Sequence, residues 1–176
     1  NRSETVDFFS QNGPSLVFDF LVDEVGMKIS RQDDGSVSYT GEAAHSMRRV
    51  VHYEDHTGDM IEDSLINYAR SMNIEFFTEF AAMDIITNDH HSTDVQEIYR
   101  EREVLGVYAL NIESGEVETF FSSSVVLATG GIGNIYYHTT NPVSATGDGI
   151  SMAYRAGADI INAEFIQFHP TCLFHR

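Results

Sequence analysis

The spacing of apolar residues predicts a helix over residues 14–25. Its apolar side chains recur at helical spacing on one face, namely Leu16, Phe20 and Leu21. Pro14 suits a first turn, where its missing N–H costs no hydrogen bond, and Gly26 suits the position after the last turn. The pattern therefore predicts a helix that begins at Pro14 and ends before Gly26.

The same criterion predicts two more helices. Residues 58–71 carry one apolar stripe, and Thr57 stands where its side chain can cap the helix. Residues 148–156 make a shorter helix that begins at Asp148 and ends at Gly157.

Two segments predict β-hairpins. Short alternations of polar and apolar residues flank Asp33-Asp34-Gly35 within residues 28–40. Residues 104–112 and 117–121 alternate in the same way around the turn sequence Glu113-Ser114-Gly115-Glu116. Each pattern places two antiparallel strands next to one another in the chain.

Further segments predict strands: 74–77, 81–87, 124–129 and 159–162. Polar residues 88–100 favour an exposed loop. The β-branched run Val125-Val126-Leu127 ends at Gly130-Gly131, which predicts a buried strand whose carboxyl end lies within backbone distance of a ligand. With helices and strands mixed and no repeat or linker, the sequence predicts one continuous α/β fold.

Composition and charge exclude several classes of protein. The chain has 176 residues, 42% of them hydrophobic, and it has 27 acidic against 10 basic residues. This balance argues against binding to nucleic acid or to an anionic membrane surface. No apolar run approaches the roughly 20 residues of a membrane span, and no signal-peptide pattern is present. The single Cys172 excludes an internal disulfide and fits a cytoplasmic protein.

The glycines do not supply a dinucleotide fingerprint. Such a fingerprint is a strand followed by Gly-x-Gly-x-x-Gly and a helix. The only cluster of glycines is Gly130-Gly131-x-Gly133, and Tyr136 occupies the place of the third small residue. A side chain of that size would prevent close packing of helix on strand.

Four motifs follow one another after residue 124: Val125-Val126-Leu127-Ala128-Thr129-Gly130-Gly131, Thr139-Thr140-Asn141-Pro142, Thr146-Gly147-Asp148-Gly149 and Gln167-Phe168-His169-Pro170-Thr171. In this order they resemble flavoproteins of the L-aspartate oxidase, succinate dehydrogenase and fumarate reductase family. Upstream, residues 42–49 and Asp55-His56-Thr57-Gly58 resemble the L-aspartate oxidase branch in particular.

The resemblance implies a fold. It is the α/β class, as a partial Rossmann-like FAD-binding domain with β-hairpin insertions and without the N-terminal dinucleotide fingerprint. Residues 1–176 would be an internal part of that domain. The fingerprint would lie upstream of Asn1, and the chain would end at the entry to the capping domain.

The resemblance also implies FAD as the cofactor. The corner formed by Ala128, Thr129 and Gly130 would lie near FAD, although a strand ending in a glycine turn needs no ligand. Asp148 would contact the adenosine side of FAD, and as a first-turn or N-cap acid it also stabilises a helix. Ala82 is a weaker candidate, on a strand whose backbone would meet the adenine.

Three residues are implied in substrate binding. His169 and Thr171 would bind a substrate carboxylate, and Glu42 would bind the ammonium group that succinate and fumarate lack. The ordinary alternatives are a structural histidine before Pro170 and a solvated surface glutamate. The family often has Gly-Gly where this chain has Ala43-Ala44, a departure that can shift the loop that carries Glu42.

Other histidines do not indicate a metal site. His52 and His56 are four residues apart and His90-His91 are adjacent, but no second ligand pair has zinc-like spacing. Arg48 and Arg49 can bind a carboxylate or pair with the abundant acids. We therefore expect no metal.

The function implied is FAD-dependent oxidation of L-aspartate to iminoaspartate by hydride transfer to flavin, in quinolinate and NAD synthesis. Coupling to a quinolinate synthase stays open as a partner relation. The alternatives are a fumarate reductase or succinate dehydrogenase flavoprotein segment, and a non-catalytic binding module that retains the fold. We expect the 176-residue chain alone to be inactive and to bind FAD weakly.

Overall fold

The structure, a computed structural model, describes residues 2–168 of the chain. Backbone contacts divide it into two units, the first ending at Phe76 and the second beginning at Phe77. No helix among the described residues is long and apolar enough to cross a membrane.

The first helix begins earlier than the apolar pattern predicts. Helix α1 spans Ser3–Ser15, so Pro14 lies inside it rather than in its first turn, and the chain continues as a π-helix over Leu16–Glu24. The prediction was wrong because residues 3–13 are mostly polar and exposed, which leaves no apolar stripe to detect. Proline cannot donate a backbone hydrogen bond, and the wider π spacing begins two residues after it, at Leu16. Gly26, at φ +79°, ends the helix as predicted.

The predicted hairpin within residues 28–40 is confirmed. Arg31 and Val37 form an antiparallel bridge, and Gly35 takes φ +84° in the turn. The chain then forms a second ladder, in which β1 (Tyr39–Thr40) pairs antiparallel with β2 (Val50–Val51).

Helix α2 spans Thr57–Ser71, as predicted, but its cap differs. His56 occupies the N-cap position, and no side chain caps the helix. The Thr57 hydroxyl oxygen instead accepts a hydrogen bond of 3.0 Å from the backbone N–H of Tyr53. A competing local turn therefore prevents the predicted cap.

The second unit is built on an antiparallel sheet of three strands: β3 (Phe80–Thr87), β4 (Val104–Asn111) and β5 (Val117–Phe121), in the order β3-β4-β5. We call it the hairpin sheet. Ile85, Ile86 and Ala109 are its buried core. The predicted turn between β4 and β5 is confirmed, because the N–H of Asn111 donates to the carbonyl of Glu116 at 2.9 Å. The predicted loop 88–100 contains one 3₁₀ turn, Val95–Tyr99.

Three predicted strands are wrong: residues 74–77, 124–129 and 159–162 are not strands. The run 124–129 is also exposed rather than buried, with 90% of Val126 accessible. A buried strand needs a neighbour to accept its hydrogen bonds. Within residues 2–168 no segment pairs with this run.

Helix α3 (Asp148–Arg155) agrees with its prediction. Met152 anchors it, at 2% exposure. At its end, the Arg155 guanidinium binds the Asp84 carboxylate of β3 through Nε, at 3.1 Å from Oδ2, and donates from Nη2 to the Met83 carbonyl at 3.1 Å. These contacts fix the helix to the hairpin sheet.

Candidate functional site

The turn after the exposed run packs onto the start of helix α3. We call residues 128–131 the glycine corner. A methyl group added to Gly149 would lie 1.9 Å from Oγ1 of Thr129, and one added to Gly147 would lie 2.9 Å from Cδ1 of Ile132. Gly130 and Gly147 adopt left-handed φ angles of +74° and +82°. Gly147 and Gly149 leave no room for a side chain, and through them the residues around the corner contact the N-terminus of helix α3.

Asp148 lies in the first turn of α3, directly after the N-cap residue Gly147. Its Oδ2 accepts a hydrogen bond of 2.7 Å from the Thr146 hydroxyl. A carboxylate in this place stabilises a helix, because the first-turn N–H groups carry partial positive charge. Thr129 packs on Gly149, the residue after Asp148, so the glycine corner and Asp148 lie at the same end of helix α3.

A folded loop joins the corner to the helix. Asn134 ties it internally, because its backbone N–H donates to Ala145 and its side chain donates to Val143, both at 2.9 Å. The Asn141 side chain lies so close to Gly133 that a methyl group there would be 2.6 Å from Cγ of Asn141. Sequence reasoning missed these contacts. Gly133, on which the Asn141 side chain packs, was the available signal.

Ala82 lies on β3 opposite Ala109, next to an irregularity in the register before Asp84. It is exposed. Asp84, two residues further on, binds Arg155 of α3. Ala82 is thus in the same unit as the corner, on the strand that anchors the helix.

Glu42 lies in the first unit, on a tight turn. Its backbone N–H donates to Nδ1 of His45 at 3.3 Å, and the His45 N–H donates to the Glu42 carbonyl at 3.1 Å. Ala44 adopts φ +65°, a left-handed angle that favours glycine. The turn therefore forms with alanine where the family often has glycine. The Glu42 side chain is exposed.

His169 and Thr171 lie outside the described residues. The chain just before them is described: the Phe168 ring contacts the Tyr136 ring at 5.1 Å between centroids. This contact brings the chain at residue 168 to the loop that follows the glycine corner.

The histidines considered as metal ligands make other contacts. His52 interacts through Nδ1 with the carbonyl of Glu54 at 3.0 Å. His56 and Asp55 interact at 3.0 Å, and this hydrogen bond raises the pKa of His56 and lowers the pKa of Asp55. Glu54, Asp55 and His56 offer potential ligand atoms within 4.8 Å of one another, but all three are exposed. Exposed acidic groups of this kind are common without a metal.

A profile of the FAD-binding domain family matches residues 1–176. The chain is 41% identical to the L-aspartate oxidase of Yersinia pestis over 176 residues, which cover 98% of the chain and 32% of that protein. It is 41% identical to the L-aspartate oxidase of Acinetobacter baylyi over 151 residues, 85% of the chain and 27% of that protein. The chain thus spans about a third or less of the length of these relatives.

Solved structures of related flavoproteins share the fold. An E. coli quinol fumarate reductase structure matches 97% of the chain and 27% of its own length, with a TM-score of 0.83 and 30% identity. Mycobacterium smegmatis Sdh1 matches 91% of the chain and 26% of its own length, with a TM-score of 0.74 and 31% identity. The predictions of the family and of FAD as its cofactor are confirmed. The α/β prediction is confirmed as a mixed fold of helices and sheet.

Proposed function

We propose, since the chain belongs to the FAD-binding domain family, that it is an internal segment of an enzyme that oxidises L-aspartate to iminoaspartate. The observation that carries this proposal is 41% identity to an L-aspartate oxidase over 98% of the chain. FAD, when bound, supplies the redox chemistry. The residues of this chain bind and orient the cofactor and the substrate.

The glycine corner fits such a cofactor. Ala128, Thr129 and Gly130 are exposed, and left-handed Gly130 has no side chain to obstruct an approaching ligand. The first-turn amides of α3 have no partners inside the helix and attract anionic groups. These local donors offset the strong negative charge of the chain. We assign the three corner residues and Asp148 to FAD, with Asp148 on the adenosine side.

Ala82 is a weaker assignment to the same cofactor. Its small, exposed side chain leaves the β3 backbone open to a flat ring. We propose that this backbone meets the adenine.

The substrate assignments rest on charge. L-Aspartate carries two carboxylates and an ammonium group, whereas succinate lacks the ammonium. We propose that the Glu42 carboxylate binds the ammonium and that His169 and Thr171 bind a carboxylate. A charge pair in a partly dry site is worth several times more than in water, so one acid can discriminate between the two substrates.

The domain arrangement and the fate of the product are proposed from the resemblance to the same family. We propose that residues 1–176 belong to one partial Rossmann-like FAD-binding domain, with its dinucleotide fingerprint upstream and a capping domain after it. Iminoaspartate would be the product passed toward quinolinate synthesis, and coupling to a quinolinate synthase is part of this proposal.

A second candidate is a fumarate reductase or succinate dehydrogenase flavoprotein segment. The TM-score of 0.83 to the E. coli fumarate reductase supports it. The sequence favours aspartate oxidation, because identity is 41% to the Yersinia pestis L-aspartate oxidase and 30% to the fumarate reductase.

The test is oxidation of L-aspartate and of succinate by the purified complete protein, with Glu42→Gln beside it. We expect turnover of L-aspartate, and a loss of about 10- to 100-fold in kcat/KM for L-aspartate in the variant. Binding of succinate should be unchanged. Glu62→Gln, at an exposed glutamate of the same unit, is the control. Equal losses for both dicarboxylates would refute the role of Glu42, and turnover of succinate alone would favour the second candidate.

A further inference from the structure

The side chain of Thr129 fills the space above Gly149. All three of its side-chain heavy atoms are close to the position that a Gly149 Cβ would take: Oγ1 at 1.9 Å, Cβ at 2.9 Å and Cγ2 at 3.0 Å. A Cβ essentially never lies under 3.0 Å from a heavy atom to which it is not covalently connected through its own or a neighbouring residue. The contact between Thr129 and the helix backbone is therefore possible only because residue 149 is glycine.

This contact depends on shape. Among residues 2–168 the Thr129 hydroxyl has no hydrogen-bond partner, whereas the Thr146 hydroxyl nearby donates to Asp148. A second contact of the same kind lies beside it, where the Ile132 side chain packs on Gly147 at φ +82°. Two side chains from the corner and its continuation thus pack on the two glycines that flank Asp148.

We propose that Thr129 is a positioning residue, which sets the distance between the backbone of the glycine corner and the first turn of α3. In this role the side chain faces the helix, and only the backbone of residue 129 faces FAD. The inference rests on the proposed function, because it assumes that the corner and the helix terminus form one surface for the cofactor. It differs from direct binding of FAD by the threonine hydroxyl.

The experiment measures the FAD dissociation constant and the melting temperature of the apoprotein for variants of the complete protein. Thr129→Val keeps the shape of the side chain and removes the hydroxyl. Gly149→Ala adds the obstructing methyl group. Thr129→Gly removes all three contacting atoms and is combined with Gly149→Ala in a double-mutant cycle. Gly58→Ala is the control, because a methyl group there meets nothing within 4 Å.

We expect Thr129→Val to bind FAD within about threefold of the wild type, since no hydroxyl contact is lost. Gly149→Ala should weaken FAD about tenfold and lower the melting temperature, because a packed site must move to admit the methyl group. In the presence of Thr129→Gly, the same Gly149→Ala change should cost less than about threefold, which is a positive coupling between the two sites.

The competing role predicts different results. If the hydroxyl binds FAD, Thr129→Val weakens binding about fivefold or more while the apoprotein melts normally, and the inference is overturned. Additive losses in the double variant would also overturn it. If Gly149→Ala does not fold, Thr129→Val alone decides between the two roles. Failure of the wild-type protein to bind FAD at all would overturn the proposed function and this inference with it.

Discussion

The hairpin sheet and the glycine corner belong to the same unit, yet they obtain their stability differently. Each strand of the sheet pairs with the strand next to it in sequence, and the rings of Phe77, Phe80 and Phe120 meet edge to face on it. The apolar run before the corner has no pairing strand among residues 2–168, and Val126 is 90% exposed. The strands of the sheet find pairing partners within the sheet, whereas residues 125–129 donate no backbone hydrogen bond to any described residue.

The largest expected effect is a difference in amide hydrogen exchange between the hairpin sheet and the run before the glycine corner. In the 176-residue chain, we expect protected amides in β3 and β4 and unprotected amides at residues 125–129, which donate no backbone hydrogen bond to any described residue. In the complete protein with FAD, the amides of 125–129 should slow by about a thousandfold or more, because they gain partners. FAD should bind the 176-residue chain at least about a hundredfold more weakly than the complete protein.

Protection of residues 125–129 in the isolated 176-residue chain would contradict the comparison. Tight binding of FAD to that chain, with a yellow preparation at near-stoichiometric occupancy, would contradict the expectation of weak binding. The protected amides of the sheet serve as the internal control in both samples.

The next largest expected effect is a loss of unfolding free energy when a glycine of the sheet is replaced by alanine. Gly106 has φ +148°, and a methyl group there would lie 2.1 Å from the carbonyl oxygen of Phe120. Gly106→Ala should lower the free energy of unfolding by about 3 kcal/mol, because a strand backbone must move. Chemical denaturation measures this loss. In Gly58→Ala the added methyl group meets nothing within 4 Å, so its free energy of unfolding should stay close to that of the wild type. An equal loss in both variants would show that the close contact at Gly106 is not the cause.

Asp148→Ala tests the corner with a smaller change. We expect a loss of up to about 1 kcal/mol in unfolding free energy from the helix terminus, together with weaker binding of FAD. Asp59→Ala is the matched control, because Asp59 is also an acid in a first helical turn, that of α2. It should cost similar stability and leave FAD binding unchanged. If Asp148→Ala lowers stability but not FAD affinity, Asp148 acts on the helix alone.

The smallest effect lies in the first unit. The hydrogen bond that His56 donates to the Asp55 carboxylate raises the pKa of His56 above 6.5. Protonated His56 therefore adds stability that is complete below pH 6.5 and is lost as pH rises through the folded pKa. The melting temperature of His56→Gln should therefore fall further below that of the wild type at pH 5.5 than at pH 9. Asp55→Asn should remove most of this difference. A constant offset at both pH values would show that the contact is not ionic.

Local partners explain what the sequence could predict. The strands β4 and β5, their turn and helix α3 were correct, because each is determined by residues close to it in the chain. The strand prediction for 124–129 failed because β-branched residues favour a strand but do not provide the neighbouring strand with which it must pair. The early start of α1 was missed because residues 3–13 form a helix although they are mostly polar and carry no apolar stripe.

The candidate site divides in the same way. The sequence singled out Asp148 and the glycine corner as candidates for the same cofactor. It could not reveal that Thr129 packs on Gly149, since close approach depends on tertiary geometry. The positive φ of Ala44 was equally hidden, because alanine does not indicate a left-handed turn as glycine does.

The most direct test of the central claim is a crystal structure of the complete protein with FAD. We predict that backbone atoms of Ala128, Thr129 and Gly130 lie within about 4 Å of FAD. The Thr129 side chain should still rest on Gly149, and residues 124–129 should be paired as a strand. FAD bound elsewhere, with the glycine corner still exposed to solvent, would contradict the account.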